Sequence, residues 1–256
     1  MSDLAADLEL AASLVREAGE LAARMRIDGL AARSKGSLSD IVTAADHAAE
    51  ELVVARLRRA RPQDGILGEE GAAHVGTSGR TWVIDPVDGT WNYFHGLDWW
   101  CSAIALTTDA DVLLGAVHHP ATSTTYAGGP GLPATCNGER LAVLADRPTA
   151  EVCAATYLHP DRHVTAVGEA WRRAVSLPAT LRVLGSGSMD AMAVATGTLG
   201  VSFQHDVPLW DRLPGEAIVR SLGGARREVE AGGVTWNVLG VTTAVDQVAT
   251  ALAGGR

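Results

Sequence analysis

Cysteine is scarce in this chain. Only Cys101, Cys136 and Cys153 occur, widely spaced and with no CxxC pair. That argues against a disulfide framework or a thiolate zinc site and leaves them as small core hydrophobes. Positive charge is also in deficit: 21 Lys and Arg against 30 Asp and Glu give a formal net charge of −9. Such a balance disfavours a nucleic-acid polymer or an acidic membrane as partner. It leaves a phosphorylated small molecule open, because bound cations can reverse a local field. Long apolar runs are missing as well. The N-terminus, Met1-Ser2-Asp3-Leu4, has neither a basic region nor a hydrophobic stretch, and no segment reads as a membrane span. A cytoplasmic location is the expectation. No internal repeat or low-complexity segment is visible. Histidines do not cluster at ligand spacing, and His118-His119 fall in an expected strand, facing solvent or core.

What remains is an ordinary globular composition. The 256 residues are 47% hydrophobic and 20% charged, enough for a sizeable core in one large domain or two closely joined ones. Leu4, Leu8, Ala11, Ala12, Val15, Ala18, Leu21, Ala22 and Met25 recur at helical spacing. They predict a long amphipathic helix over 3–28, with Gly29 as its stop. A polar loop or hairpin, 33–40, precedes a second helix over about 43–60. Thr43 and Asp46 resemble a capping box there, and Pro62 ends the helix. Gly65-Ile66-Leu67-Gly68 reads as a short strand running into Glu69-Glu70. In isolation those two acids read as a solvated turn.

The organising stretch follows. Trp82-Val83-Ile84 reads as a buried strand that Pro86 should stop, delivering Asp85 and Asp88 at its end. Gly89 allows close backbone approach, and Thr90 offers an N–H and a hydroxyl. Carboxylates for a hard cation beside N–H groups for phosphate are what metal-assisted phosphoryl transfer requires. Beyond Thr90, short strands with tight turns, including Asn137-Gly138, predict an antiparallel sheet. From about residue 146 strands alternate with helices, which implies a parallel or mixed sheet. The expected helices are 163–175, 188–196, 211–222 and 245–253. The boundary is expected near 145, giving halves 1–145 and 146–256. Glu69, Asp85, Asp88 and Asp211 all stand at element ends. If they converge, four carboxylates in one pocket need two or three divalent cations to offset their charge. An oxygen-only donor set favours Mg²⁺.

At this point the residues carry a resemblance. Glu69-Glu70 after Ile66-Leu67-Gly68, then Asp85-Pro86-Val87-Asp88-Gly89-Thr90 with Asn92, then Trp210-Asp211 before a helix ending at Gly223-Gly224, resemble the inositol monophosphatase family of the Mg²⁺-dependent, lithium-sensitive phosphatases. Lys35, Asp40, Val42-Thr43-Ala44 and Asp46 extend the likeness towards the front. The resemblance implies an α+β fold, a layered α-β-α-β-α sandwich, often a homodimer. It implies a first Mg²⁺ held by Glu69, Asp85 and the Val87 carbonyl, and a second held by Asp85, Asp88 and Asp211. Glu69 would share a weaker third. Gly89 and Thr90 would meet the phosphate through backbone N–H groups. Thr90, linked to Asp46, would orient or deprotonate the attacking water, which reaches phosphorus directly with no phosphoenzyme. Asp46 is equally readable as a helix cap. Gly185-Ser186-Gly187 would face the substrate, or is a plain turn. The implied substrate is a small phosphorylated metabolite: an inositol 1-phosphate-like monoester, or alternatively histidinol phosphate, fructose bisphosphate or adenosine bisphosphate.

The chain departs from that pattern in places. Gln204 stands seven residues before Asp211, where the family usually has a Glu that holds sugar hydroxyls, and His205-Asp206 follow. A neutral amide still binds a polyol but does not prefer a cationic group. Trp91 replaces a smaller or basic residue, and Trp91, Tyr93, Trp99 and Trp100 concentrate aromatics near the motif, for core, dimer surface or substrate stacking. Leu213-Pro214 replaces small residues, with Pro214 expected in the first helical turn. Two other classes compete. An aspartyl-phosphate phosphatase needs its acids two residues apart, which the Asp85/Asp88 spacing contradicts. A metal-binding relative that has lost turnover draws its support from Gln204.

Overall fold

The computed structural model of the chain describes residues 4–28, 32–34 and 41–255. The expected Gly29 stop and the Lys35 and Asp40 matches lie outside these residues. Helix α1 (Leu4–Asp28) buries Ala11, Leu14, Val15, Ala18 and Ala22 along one stripe. Helix α2 (Ala44–Ala60) lies against it, capped by Thr43, whose hydroxyl accepts from the Ala45 N–H at 3.2 Å. The Asp46 carboxylate closes the box by accepting the Thr43 N–H at 3.0 Å.

Both helices cover one face of an eight-stranded sheet. Its spatial order is Glu139–Arg140, Leu132–Cys136, Thr124–Gly129, Val112–His119, Cys101–Thr108, Arg80–Asp88, Gly65–Gly68 and Ala73–His74. Every ladder is antiparallel but one: Gly65–Gly68 runs parallel to Arg80–Asp88, with Gly68 opposite Ile84. Strand alternation explains the continuous apolar run at 82–84. Trp82 and Ile84 pack towards α1 and α2, while Val83 packs with Leu213 and Ala217 on the other face. Full burial of each such large side chain contributes roughly 1.5–3 kcal/mol.

A second sheet of five strands orders Thr180–Arg182, Cys153–Thr156, Val201–His205, Val234–Gly240 and Ala225–Ala231. Its first three strands are mutually parallel and the last two join antiparallel. After α3 (Thr90–His95) and α4 (Ala166–Val175) come α5 (Gly187–Ala195) and α6 (Leu209–Ser221), which lie between the two sheets. Helix α4 and α7 (Thr242–Leu252) cover the far face of the second sheet. The layers therefore run α-β-α-β-α, as the resemblance implies.

Three local expectations change. The strand does not stop at Pro86: it continues to Asp88 through a bulge, with Asp85 opposite Ala103 and Asp88 opposite Cys101. Proline is tolerated at a bulge, and the Ser102 hydroxyl donates to the Pro86 carbonyl at 2.5 Å. Pro214 lies in the second turn of α6, not the first, because the helix begins at Leu209. The strand Ala225–Ala231 was not expected; its Arg226-Arg227-Glu228 run disguises an edge strand. Among the described residues, no helix is long and apolar enough to cross a membrane.

Candidate active site

The single parallel ladder of the first sheet places the first acids. Parallel strands end at the same sheet edge, so Glu69 emerges beside Asp85, and its N–H bonds to the Ile84 carbonyl at 3.1 Å. In a regular strand, residues three apart face opposite ways. The bulge at Pro86-Val87 removes that constraint, and Asp85 and Asp88 face one pocket. Asp211 arrives from the first turn of α6.

The pocket has a volume of about 680 Å³. Glu69, Asp85, Val87, Asp88, Gly89, Thr90, Gly185, Ser186, Gly187, Gln204 and Asp211 all line it. Asp46 does not, but its Oδ1 accepts from the Thr90 hydroxyl at 3.3 Å. The same hydroxyl lies 2.9 Å from the Val87 carbonyl. Asp46 thus serves both as cap partner for Thr43 and as the group behind Thr90. Gly89 must be glycine on two counts. Its φ is +94°, and a Cβ there would stand 3.0 Å from the Trp99 carbonyl oxygen and 3.2 Å from that of Gly185.

Asp88 also ties the two halves of the wall together. Its carboxylate accepts the backbone N–H of Gly187 at 3.1 Å and of Ser188 at 2.5 Å, at the start of α5. Ser186 caps that helix by accepting from the Met189 N–H at 3.3 Å.

Burial and mutual repulsion set the electrostatics. Burial first, then the charges of Glu69, Asp88 and Asp211, hold Asp85 well above the usual carboxylate range. Burial raises Asp88, opposed by the hydrogen bonds from Ser188, Ser186 and Gly187. Burial likewise raises Asp46, opposed by its bonds to Thr43. Asp190, buried in α5, is pushed up to about 7 by burial, although the Trp99 indole donates to it at 3.1 Å. Among the described lining residues there is no lysine or arginine. Nor do the acids of the described residues close into a ready-made cage. The donors are nevertheless all oxygens around one pocket, with Asp85 and Asp88 buried and Glu69 and Asp211 half-buried, which fits hard divalent cations.

Sequence reasoning missed several positioning groups. The Asn92 amide donates to the carbonyls of Trp99 and Leu184, each at 2.7 Å, and so holds the 185–187 loop against the Asp88 segment. Buried Glu50 accepts the N–H groups of Glu70 and Ala72, each at 2.9 Å, and fixes the turn after Glu69. Trp91, Tyr157, His159, Pro160, Val183 and Leu184 form the remaining wall. Tyr157 and Val183 could have been anticipated, since each directly follows a parallel strand, where sites concentrate.

The model of the inositol monophosphatase family matches residues 3–254. The chain belongs to that family. Inositol monophosphatases are metal-dependent phosphoric monoester hydrolases, so enzyme class and fold follow together. The inositol-1-monophosphatase of Rhizobium meliloti (strain 1021) is 32% identical over 244 residues, 94% of this chain and 89% of that protein. The fructose-1,6-bisphosphatase/inositol-1-monophosphatase of Thermotoga maritima is 32% identical over 219 residues, 85% and 82% of the two chains. Among solved structures, the extragenic suppressor protein suhB of Bartonella henselae superimposes with a TM-score of 0.88 at 25% identity, covering 98% of this chain and all of that one. The inositol monophosphatase of Thermotoga maritima gives 0.84 at 28% identity, covering 97% of both.

Proposed function

We propose that the chain is a Mg²⁺-dependent phosphatase that hydrolyses a small phosphate monoester with water as the nucleophile. The observation that carries this reading is the set of mutually repelling carboxylates around one pocket, Asp85 and Asp88 buried and Glu69 and Asp211 half-buried. Glu69, Asp85 and the Val87 carbonyl would hold one Mg²⁺, and Asp85, Asp88 and Asp211 a second, with Glu69 shared by a weaker third. When bound, the cations would polarise the ester phosphate and lower the pKa of water at the site.

The chain's own groups supply position and proton handling. The Thr90 hydroxyl donates towards Asp46 Oδ1 or the Val87 carbonyl, leaving an oxygen lone pair for a water in the pocket. Asp46, with its raised affinity for a proton, stands behind Thr90 as the acceptor. The Gly89 and Thr90 backbone at the first turn of α3 meets the phosphate oxygens. That helix spans only six residues, so its individual N–H groups count for more than its dipole. Gly185, Ser186, Gly187 and the Gln204 amide face the alcohol.

Phosphate release from inositol 1-phosphate and glycerol 2-phosphate, with Mg²⁺ and after EDTA, tests the reading. EDTA should abolish release. Asp211→Asn should lower kcat by about two orders of magnitude or more while the circular dichroism spectrum stays native. Mg²⁺ should raise the Tm of the wild-type protein and not that of Asp85→Asn. Full turnover by a folded Asp211→Asn protein overturns the reading. Mg²⁺ binding with no hydrolysis of any ester would instead favour a metal-binding relative.

A further inference from the structure

The mouth of the pocket is chemically unlike its floor. Trp91, Tyr157 and Val183 are 44%, 42% and 62% exposed, and all three line this one pocket. Large apolar side chains left in water around a concave site are a binding feature more often than an accident. They do not belong to one surface element. Trp91 rides on α3, Tyr157 follows the strand Cys153–Thr156, and Val183 follows Thr180–Arg182. Pro160 and Leu184 continue the apolar wall between them. Two rings are braced before any ligand arrives. Trp91 leans on His95 with ring centroids 4.3 Å apart, and Tyr157 meets His159 edge-on at 6.3 Å. His159 is itself held by Asp161 at 2.7 Å.

We propose that the alcohol half of the substrate carries an aromatic or heteroaromatic ring, which Trp91, Tyr157 and Val183 receive while the phosphate sits at the acidic floor. This rests on the phosphatase reading above and sharpens its substrate class. A flat ring covers apolar surface and takes the offset or edge geometry that aromatic pairs prefer. A polyol places a hydroxyl at every ring position, and each needs a partner once water leaves. Away from the floor carboxylates, Thr90, Asn92 and Ser186 are already bonded within the wall, which leaves chiefly the Gln204 amide, the Tyr157 hydroxyl and the His159 ring. The pocket volume of about 680 Å³ leaves room for a ring beyond the phosphate.

The test compares kcat/KM for two esters of alkyl alcohols, 2-phenylethyl phosphate and glycerol 2-phosphate, with Mg²⁺. Both leaving groups are alkoxides, so the comparison reads the alcohol's shape and polarity. The wild-type protein should favour the ring ester by about tenfold or more. In Trp91→Ala and in Tyr157→Ala the ratio should fall towards one, mainly through KM for the ring ester. Circular dichroism and sedimentation are run on each variant. Equal efficiency on both esters in the wild type overturns the proposal and leaves the phosphatase reading standing. So does a ratio that survives in both variants. A change of oligomeric state with the ratio intact overturns it too, and would make the rim a surface for a second copy. Release from neither ester overturns the proposal, and the reading beneath it falls as well when inositol 1-phosphate also yields no phosphate.

Discussion

Thr43, Asp46 and Thr90 are linked end to end, from the cap of α2 to the wall of the pocket. The two threonines use the same carboxylate for different ends. Thr90→Val removes the hydroxyl that faces the pocket, so kcat should fall by about 10²-fold or more with Tm almost unchanged. Thr43→Ala removes a cap and should cost about 1 kcal/mol of stability, with a much smaller loss of turnover. Denaturant titration and Mg²⁺-dependent phosphate release separate the two. At this scale the sequence was most legible where chemistry is concentrated in one short segment, as at Asp85 to Thr90. Asn92 and Glu50 were not legible in their roles. Asn92 braces Leu184, 92 positions away, and Glu50 braces Glu70 and Ala72 across a turn. Nothing in an amide or a helical glutamate announces such partners.

The helix that carries Asp211 is seated by close backbone approach. A Cβ built on Gly115 would overlap the carbonyl oxygen of Pro214, so the strand Val112–His119 and α6 touch main chain to main chain. Gly115→Ala must therefore push α6 away from the sheet. Destabilisation of roughly 1–3 kcal/mol is expected, with a loss of turnover larger than the stability change explains, because Asp211 moves with the helix. Parallel melting and activity measurements on that variant check both. Pro214 sharpens the effect: its ring cannot donate to the preceding turn, so α6 is already weakest where it is pressed. Periodicity revealed most helices to within a few residues. It could not reveal the bulge at Pro86, since the strand's continuation depends on its partner at Cys101. It also missed Ala225–Ala231, whose alternation is masked by charge on an exposed edge.

For the molecule as a whole, the layer order came from the likeness to a family, not from the pattern of elements. The pattern did show why the site lies where it does. Parallel strands in both sheets send their C-terminal ends to one pocket, at Glu69 and Asp85 from the first and Tyr157, Val183 and Gln204 from the second. The packing that makes this possible also buries His118, which lies against Gly19 of α1 and pairs with the Thr125 hydroxyl at 2.9 Å. Burial, with Arg16 and His119 nearby, lowers its pKa from 6.5 to about 4. Between those values the unfolded chain binds a proton that the folded chain refuses. Stability from this residue is thus complete above pH 6.5 and declines as the pH falls towards 4. Replacing it with Asn should flatten the Tm profile over that window, as a melting series in matched buffers would show.

The bond from Asp88 to the N–H groups of Gly187 and Ser188 has a consequence in time. A chain growing from its N-terminus makes Glu69, Asp85 and Asp88 early, and these three acids then wait about a hundred residues for the backbone donors of α5. Asp211 is made later still. A nascent or truncated chain that stops before α5 holds most of the acids but neither the donors that orient Asp88 nor the last carboxylate. On the proposed reading, hydrolysis would begin only when the middle layer has closed, and the acid centre would stay silent while the chain is unfinished.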